Sequence, residues 1–136
     1  MKQLYIIVFF AMALGCSKEK QEQVQQNLIV QAMVNGQWKV TSFKRGSIDI
    51  TADFSPYKFQ FKENLTVEAI NNGAVEKTGT WNADPAALTI TSNFSNAVNP
   101  LALLNGTWNI NNTTWTSVEA SQTVSGEQRN LRLDKQ

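Results

Sequence analysis

Val34-Asn35-Gly36-Gln37-Trp38-Lys39-Val40 recurs with few changes as Leu104-Asn105-Gly106-Thr107-Trp108-Asn109-Ile110. Each copy reads as a tight turn at Asn-Gly, where positive φ costs little. A strand follows whose first inward residue is tryptophan and whose next inward residue is β-branched. Lys77-Thr78-Gly79-Thr80-Trp81 keeps the Gly-x-Trp core without the asparagine. The three tryptophans lie 43 and 27 residues apart, so a solenoid or propeller repeat is not supported. They read as three entries into one β-structure.

The rest of the chain fits strands around these entries. Trp38 and Val40 open the first strand, and Phe43 falls on the opposite parity, which predicts a bulge or a strand end. Lys44 to Pro56, with Gly46, Asp49, Asp53 and Pro56, reads as a flap rather than a strand. Tyr57, Phe59 and Phe61 alternate with Lys58, Gln60 and Lys62, the clearest period-two stretch in the chain. Glu63-Asn64 turns into Leu65, Val67 and Ala69, and Asn71-Asn72-Gly73 turns back into Val75 to Trp81. Asp84-Pro85 breaks that strand before Leu88 and Ile90. Leu101 to Leu104 is a compact apolar turn, and the last strands are Thr107 to Ile110, Thr113 to Ala120 and Asn130 to Lys135, with Gln122 to Gln128 between the final two. Eight short strands joined by hairpin-length loops predict an all-β antiparallel sandwich or up-and-down barrel.

One short helix is expected before the first strand. Val24, Leu28 and Ala32 fall at i, i+4 and i+8, Ile29 and Met33 follow one position on, and Asn35-Gly36 would end the helix. Its apolar face is expected to cap the core rather than to bind a partner.

The N-terminus carries a different signal. Lys2 precedes an apolar run from Leu4 to Leu14, shorter than the roughly 20 residues a membrane-spanning helix needs. The run ends in Ala13-Leu14-Gly15-Cys16-Ser17, which resembles the lipobox of bacterial lipoproteins, with Ala13 where that pattern usually has leucine. The resemblance implies that Cys16 is acylated and becomes the mature N-terminus. Cys16 is the single cysteine, so the mature chain holds no internal disulfide, and lipidation gives an otherwise unpaired thiol a use. Polar, mixed-charge Ser17 to Gln23 reads as a tether. The expected organisation is a signal peptide over 1–15, a tether over 16–27 and a β-domain over 28–136. The expected location is the cell envelope of a Gram-negative bacterium, lipid-anchored, at the outer membrane rather than the inner.

Charge removes one function class. The sequence has 12 basic and 11 acidic residues. Without Lys2, which falls in the proposed signal peptide, they balance. Nucleic-acid binding needs a clustered basic excess, and the chain has none.

The Gly-x-Trp on the first strand, the strand count and order, and an arginine near the last strand together resemble the lipocalins. They resemble more closely the small lipocalin-like domains of Gram-negative lipoproteins. The residues that carry this are Gly36 and Trp38, Tyr57 to Phe61, Gly79 to Trp81 and Leu104 to Trp108. The resemblance implies an eight-stranded lipocalin-like barrel with a tryptophan at its base, often covered by an arginine guanidinium. Gly36, Trp38, Trp108 and Arg129 are the residues it assigns there, Arg129 because it shares parity with Leu131 and Leu133. The strands are shorter than a lipocalin's. With Trp38, Trp81, Trp108, Trp115, Tyr57, Phe59 and Phe61 available to point inward, an eight-stranded barrel can be filled by its own side chains or hold one small ligand.

Catalysis is argued against by elimination. The chain has no histidine and no cysteine beyond Cys16, so histidine-assisted nucleophiles and the common zinc sites are absent. Asp49 with Asp53, and Glu68 with Glu76, are the remaining carboxylate pairs, and they lie in loops or at outward parity. No cofactor and no metal are expected; Asp49 and Asp53 lack the glycine and glutamate of a calcium loop. The expected function is therefore a lipid-anchored, non-catalytic binding module for a small apolar or aromatic molecule. Its site would be Tyr57, Phe59, Phe61 and Trp81, with Asp49 and Asp53 on the flap. The alternative is a filled barrel that works as an accessory subunit or inhibitor of an envelope protein, through loop residues such as Phe54, Phe94, Val98 and Leu101.

Overall fold

The computed structural model describes residues 28–136. The proposed signal peptide, Cys16, the tether and Val24 lie outside them. Among the described residues nine strands form one antiparallel sheet: β1 (Trp38–Arg45), β2 (Ile48–Asp49), β3 (Tyr57–Phe61), β4 (Thr66–Asn71), β5 (Ala74–Asp84), β6 (Thr89–Asn93), β7 (Gly106–Thr113), β8 (Ser117–Val124) and β9 (Glu127–Lys135). Sheet order follows chain order except that β2 hangs on the outer edge of β1, and β1 also pairs with β9. The eight longer strands therefore close into the up-and-down barrel that the sequence predicts. A short helix, α1, covers residues 28–34.

Period-two patterning decides what faces in. Along β3 Tyr57, Phe59 and Phe61 are buried while Lys58 is exposed, and along β8 Val118, Ala120 and Gln122 are buried while Ser117, Glu119 and Ser121 are half-buried. In β1 the register slips between Val40 and Ser42, and this bulge turns Phe43 inward to full burial. The parity break at Phe43 is thus a bulge, and the strand runs on to Arg45.

Several boundaries differ from expectation for local reasons. Ser125-Gly126 takes positive φ at both residues, 51° and 80°, which makes a two-residue hairpin turn. The strands on either side run through Gln122–Val124 and Glu127–Gln128 instead of leaving a loop there. Thr113 ends β7, and β8 starts only at Ser117, so Trp115 sits in a turn. Leu65 and Leu88, expected as inward strand residues, are positive-φ turn residues at 66° and 53°.

Both ends of the barrel are stopped. At the base, where β1 begins, α1 lays Ala32 and Met33 into the core. Its Ile29, Val30 and Val34 pack around them, as the amphipathic pattern predicts. At the top, Leu101–Leu104 forms a 3₁₀ turn that buries Leu101, Leu103 and Leu104. The segment read as a flap is the second top stopper. Its 3₁₀ turn Thr51–Phe54 buries Phe54 completely against Phe43, rings stacked at 5.1 Å. β1 meets β3 only at Trp38 and Phe59, which leaves the edge of β1 open above that point. This segment fills the gap. The Phe43 N–H donates to Thr51 Oγ1 at 2.9 Å, and the Ile50 N–H donates to the Phe43 carbonyl at 2.9 Å. An edge that would otherwise show unpaired backbone groups is satisfied.

Candidate functional site

Inside the barrel, Phe59, Phe61, Val67, Trp108, Val118 and Leu133 are among the residues bounding an apolar cavity of about 40 Å³. One polar side chain, Ser92, joins its wall, and its hydroxyl is already committed, donating to the Leu104 carbonyl at 2.6 Å. A cavity of this size exceeds one water molecule but is far below the roughly 150 Å³ that admits benzene. No buried side-chain polar atom among the described residues lacks a hydrogen-bond partner, so nothing polar waits inside for a ligand.

Each of the three Gly-x-Trp motifs closes a part of this interior. Trp38 Nε1 donates to the Met33 carbonyl at 2.9 Å and pins the end of α1. Trp81 Nε1 donates to the Lys62 carbonyl at 3.0 Å and pins the β3–β4 turn. Trp108 Nε1 donates to the Leu104 carbonyl at 3.0 Å and pins the top 3₁₀ turn. The glycines differ in purpose. Gly36 and Gly106 take positive φ, 91° and 107°, where the chain turns into β1 and β7. Gly79 is extended, and a Cβ there would lie 2.4 Å from the Asn93 carbonyl oxygen and 2.8 Å from the Phe94 ring. Asn105 makes no tight turn with Gly106. Its side chain accepts from the Phe94 N–H at 2.6 Å and donates to the Phe94 carbonyl at 3.2 Å, tying together the two ends of the Phe94–Asn105 loop.

The residues singled out from sequence do not form one site. Tyr57, Phe59, Phe61 and Trp81 are all buried, but only Phe59 and Phe61 border the cavity. Trp81 packs edge-on against Phe61 at 5.2 Å, and the Tyr57 hydroxyl reaches the rim and donates to Glu76 at 2.9 Å. Burial, then the Glu76 hydrogen bond and charge, raise the Tyr57 phenol above its ordinary pKa. Asp49 and Asp53 are exposed on the outside of the top stopper, away from the aromatics. The Asp49 carboxylate accepts from the Thr51 hydroxyl at 2.6 Å and the Thr51 N–H at 2.9 Å, which lowers its pKa and folds the stopper. Among the described residues no three acidic side chains gather as a metal cluster would require.

The barrel-base set also divides. Trp38 is at the base, but Trp108 stands near the top, edge-on to Phe43 at 5.8 Å. Arg129 is paired across the sheet with Arg45, at the far end of β1 from Trp38, so it cannot cover that indole. It is largely buried and donates to Glu127 at 2.6 Å, and Arg45 donates to the same carboxylate at 3.2 Å. The two guanidinium groups hold the Glu127 pKa below its usual range. The cation over Trp38 is Lys135, 5.1 Å from the ring centroid. Parity gave the right strand and the wrong end.

The expected apolar loop contact is mostly core. Phe54, Phe94 and Leu101 are buried, and of that set only Val98 is exposed, at 80%. Trp115 is not inward either; it is 52% exposed. The exposed apolar residues instead mark the turn tips. At the top they are Ile48, Val75, Val98 and Val124; at the base they are Leu28, Leu65, Leu88 and Trp115. Val98 is exposed as expected, but alternation missed Leu65, Leu88 and Trp115 because it assigns every apolar residue near a strand to the inside. The usable signal was their place next to Asn64, Pro85 and the Thr113-Thr114 pair, which favour turns.

No protein-family model and no curated protein matches the chain. Among solved structures, the crystal structure of a DUF4847 family protein from Bacteroides vulgatus ATCC 8482 is similar, with a TM-score of 0.54 and 15% identity over 79% of this chain and 99% of that one. Likeness at that identity supports a small barrel domain and extends to fold alone.

Proposed function

We propose that this chain is a lipid-anchored, non-catalytic interaction domain whose barrel is a filled scaffold. In this reading it serves an envelope protein as an accessory subunit or inhibitor, through the loops at its top. The supporting observation is the interior: about 40 Å³ of apolar space, with α1, Phe54 and Leu101–Leu104 stopping both ends. A small-molecule carrier of this fold would need room for its cargo, and close-packed cores leave none. The top loops offer Ile48, Val75, Val98 and Val124 beside the Arg45–Glu127–Arg129 cluster, an apolar and charged mixture suited to a protein surface. Lipidation of Cys16 would keep that surface within tether reach of the membrane, and the absence of histidine supports a non-catalytic role.

Titration of the purified full chain with an apolar fluorescent probe tests the filled barrel. The expected result is weak, non-saturating binding that leaves the emission of the buried tryptophans unchanged. Saturation near one probe per chain, weakened by Phe59→Ala, would restore the small-molecule reading. Site-specific photo-crosslinking from position 98 in whole cells then tests the partner. A discrete adduct lost in a Val75→Lys, Val124→Lys double variant is expected, and no adduct from any top loop would count against the interaction role.

A further inference from the structure

The base end presents apolar side chains that neither burial nor turn chemistry explains. The start of α1 and the β3–β4, β5–β6 and β7–β8 turns each expose one large residue: Leu28, Leu65, Leu88 and Trp115, between 41% and 57% exposed. Two of them are also conformationally costly. Leu65 and Leu88 hold positive φ, 66° and 53°, which asparagine or glycine adopts far more readily than leucine. The top of the same barrel shows the ordinary choice: its positive-φ residues are Asn72, Asn96 and Ser125, with glycines. A half-exposed leucine side chain is a costly choice for that backbone conformation, and such outliers motivate a contact outside the fold.

Trp115 fits the same pattern. The other three tryptophans are buried with the indole N–H bonded to a carbonyl, whereas Trp115 stands out from the Thr113–Ser117 turn. With Leu28, Ile29 and Ala32 it borders an open groove of about 220 Å³ on the side of α1. The barrel wall above is polar. Thr80, Asn82, Thr91, Asn93, Thr107 and Asn109 are exposed on neighbouring strands, so the wall itself does not sit in hydrocarbon.

We infer that the base rim formed by Leu28, Leu65, Leu88 and Trp115 seats on the lipid bilayer, Trp115 at headgroup depth and the leucines just below it. The direction of the chain selects this occupant. Leu28 is both a member of the rim and the point where the chain leaves toward Cys16, with eleven residues between them. Fully extended, eleven residues reach at most about 40 Å, and they join the barrel at its base, so this end lies nearest the anchor along the chain. Tryptophan prefers the membrane interface, and a partly inserted apolar rim adds to the attraction of the acyl chains. The inference rests on the reading of Cys16 as the lipid-bearing residue. It orients the top loops away from the membrane, toward a partner.

The test uses the full-length chain extracted from membranes and reconstituted in phosphatidylcholine vesicles, with acyl chains either plain or brominated. Brominated lipid is expected to quench a fraction of the tryptophan emission, and Trp115→Phe should remove that fraction. A Leu65→Asn, Leu88→Asn double variant suits the turns at least as well as leucine, so it should fold with an unchanged or higher midpoint. It should also lower the quenching at least two-fold. Emission from Trp115 that ignores brominated lipid and stays open to aqueous acrylamide would overturn the proposal. So would protection of Trp115 in native membranes by a cross-linkable protein but not in lipid vesicles. Fractionation of Cys16→Ser reads the anchor separately. If that variant stays with the membrane unchanged, the anchor reading is lost, while the quenching still decides whether the rim meets lipid.

Discussion

Lys135 holds its ammonium 5.1 Å from the centre of the Trp38 ring, on the residue whose Cα pairs directly with Trp38 across β1 and β9. The aliphatic stem of the same side chain runs 3.3 Å from where a Cβ on Gly36 would stand. One lysine therefore covers the indole face and closes over the turn that delivers it.

Replacing Lys135 with alanine should destabilise the domain by about 0.5–2 kcal/mol, the range for a cation over an aromatic face. Lys135→Arg should retain most of that. Arg129→Ala should leave the Trp38 environment unchanged, because Arg129 sits at the other end of β1. Urea midpoints with near-ultraviolet circular dichroism of the tryptophans check all three, and a change in Trp38 signal on loss of Arg129 would refute the assignment.

Phe54 gives the test of stopper against flap. It is fully buried and stacked on Phe43, so Phe54→Ala should cost about 3–5 kcal/mol. Asp53→Ala, one residue earlier on the exposed side, should cost less than about 0.5 kcal/mol. Equal midpoints for the two variants in a denaturant titration would mean that the segment is a loose loop.

Gly79 should be the least replaceable of the motif glycines on packing grounds. An alanine Cβ would meet the Asn93 carbonyl at 2.4 Å, and the obstruction is backbone that cannot rotate aside. Gly79→Ala is expected to cost at least about 1–3 kcal/mol, the range for overpacking. Thr78→Ala, its exposed neighbour, should be nearly neutral. A thermal midpoint of Gly79→Ala equal to wild type would show that β5 and β6 can part without penalty.

The sequence made the barrel legible because its evidence is periodic. Tyr57, Phe59 and Phe61 can share a face only in a strand, and turn dipeptides such as Asn72-Gly73 state where the chain reverses. What it could not state was height along the barrel. Arg129 has the parity of Leu131 and Leu133, but parity repeats every two residues and says nothing about which end of β9 is which. The register with Arg45 does. The flap failed for a related reason. Asp49, Asp53 and Pro56 mark an irregular segment truthfully, but whether such a segment stands open or folds in depends on a vacancy elsewhere, here the unpaired edge of β1 at Phe43. Exposed Leu65, Leu88 and Trp115 were hidden by the rule that serves well for the core, since apolar residues next to strands are usually inside.

Tyr57 contributes to the alkaline side of the stability curve. Its ring is buried and its hydroxyl donates to both oxygens of Glu76, at 2.9 and 3.1 Å, while Asn71 donates to the same carboxylate at 2.9 Å. Burial first, then Glu76, raise the phenol above its ordinary value of 10.0 in the folded chain. The sign follows from which state lets go of the proton first. Below the unfolded value both states keep it, and the stabilisation is whole; above it the unfolded chain ionises while the folded chain does not, so stability falls as pH rises through the folded pKa. Tyr57→Phe should lose about 1 kcal/mol at neutral pH with the hydrogen bond, yet show a shallower decline above about pH 10. Every other ionisable group is the same in both proteins, so the difference between the two thermal-midpoint curves isolates Tyr57. Curves that stay parallel from neutrality upward would mean that the phenol ionises as easily folded as unfolded, and that Glu76 does not hold its proton in place.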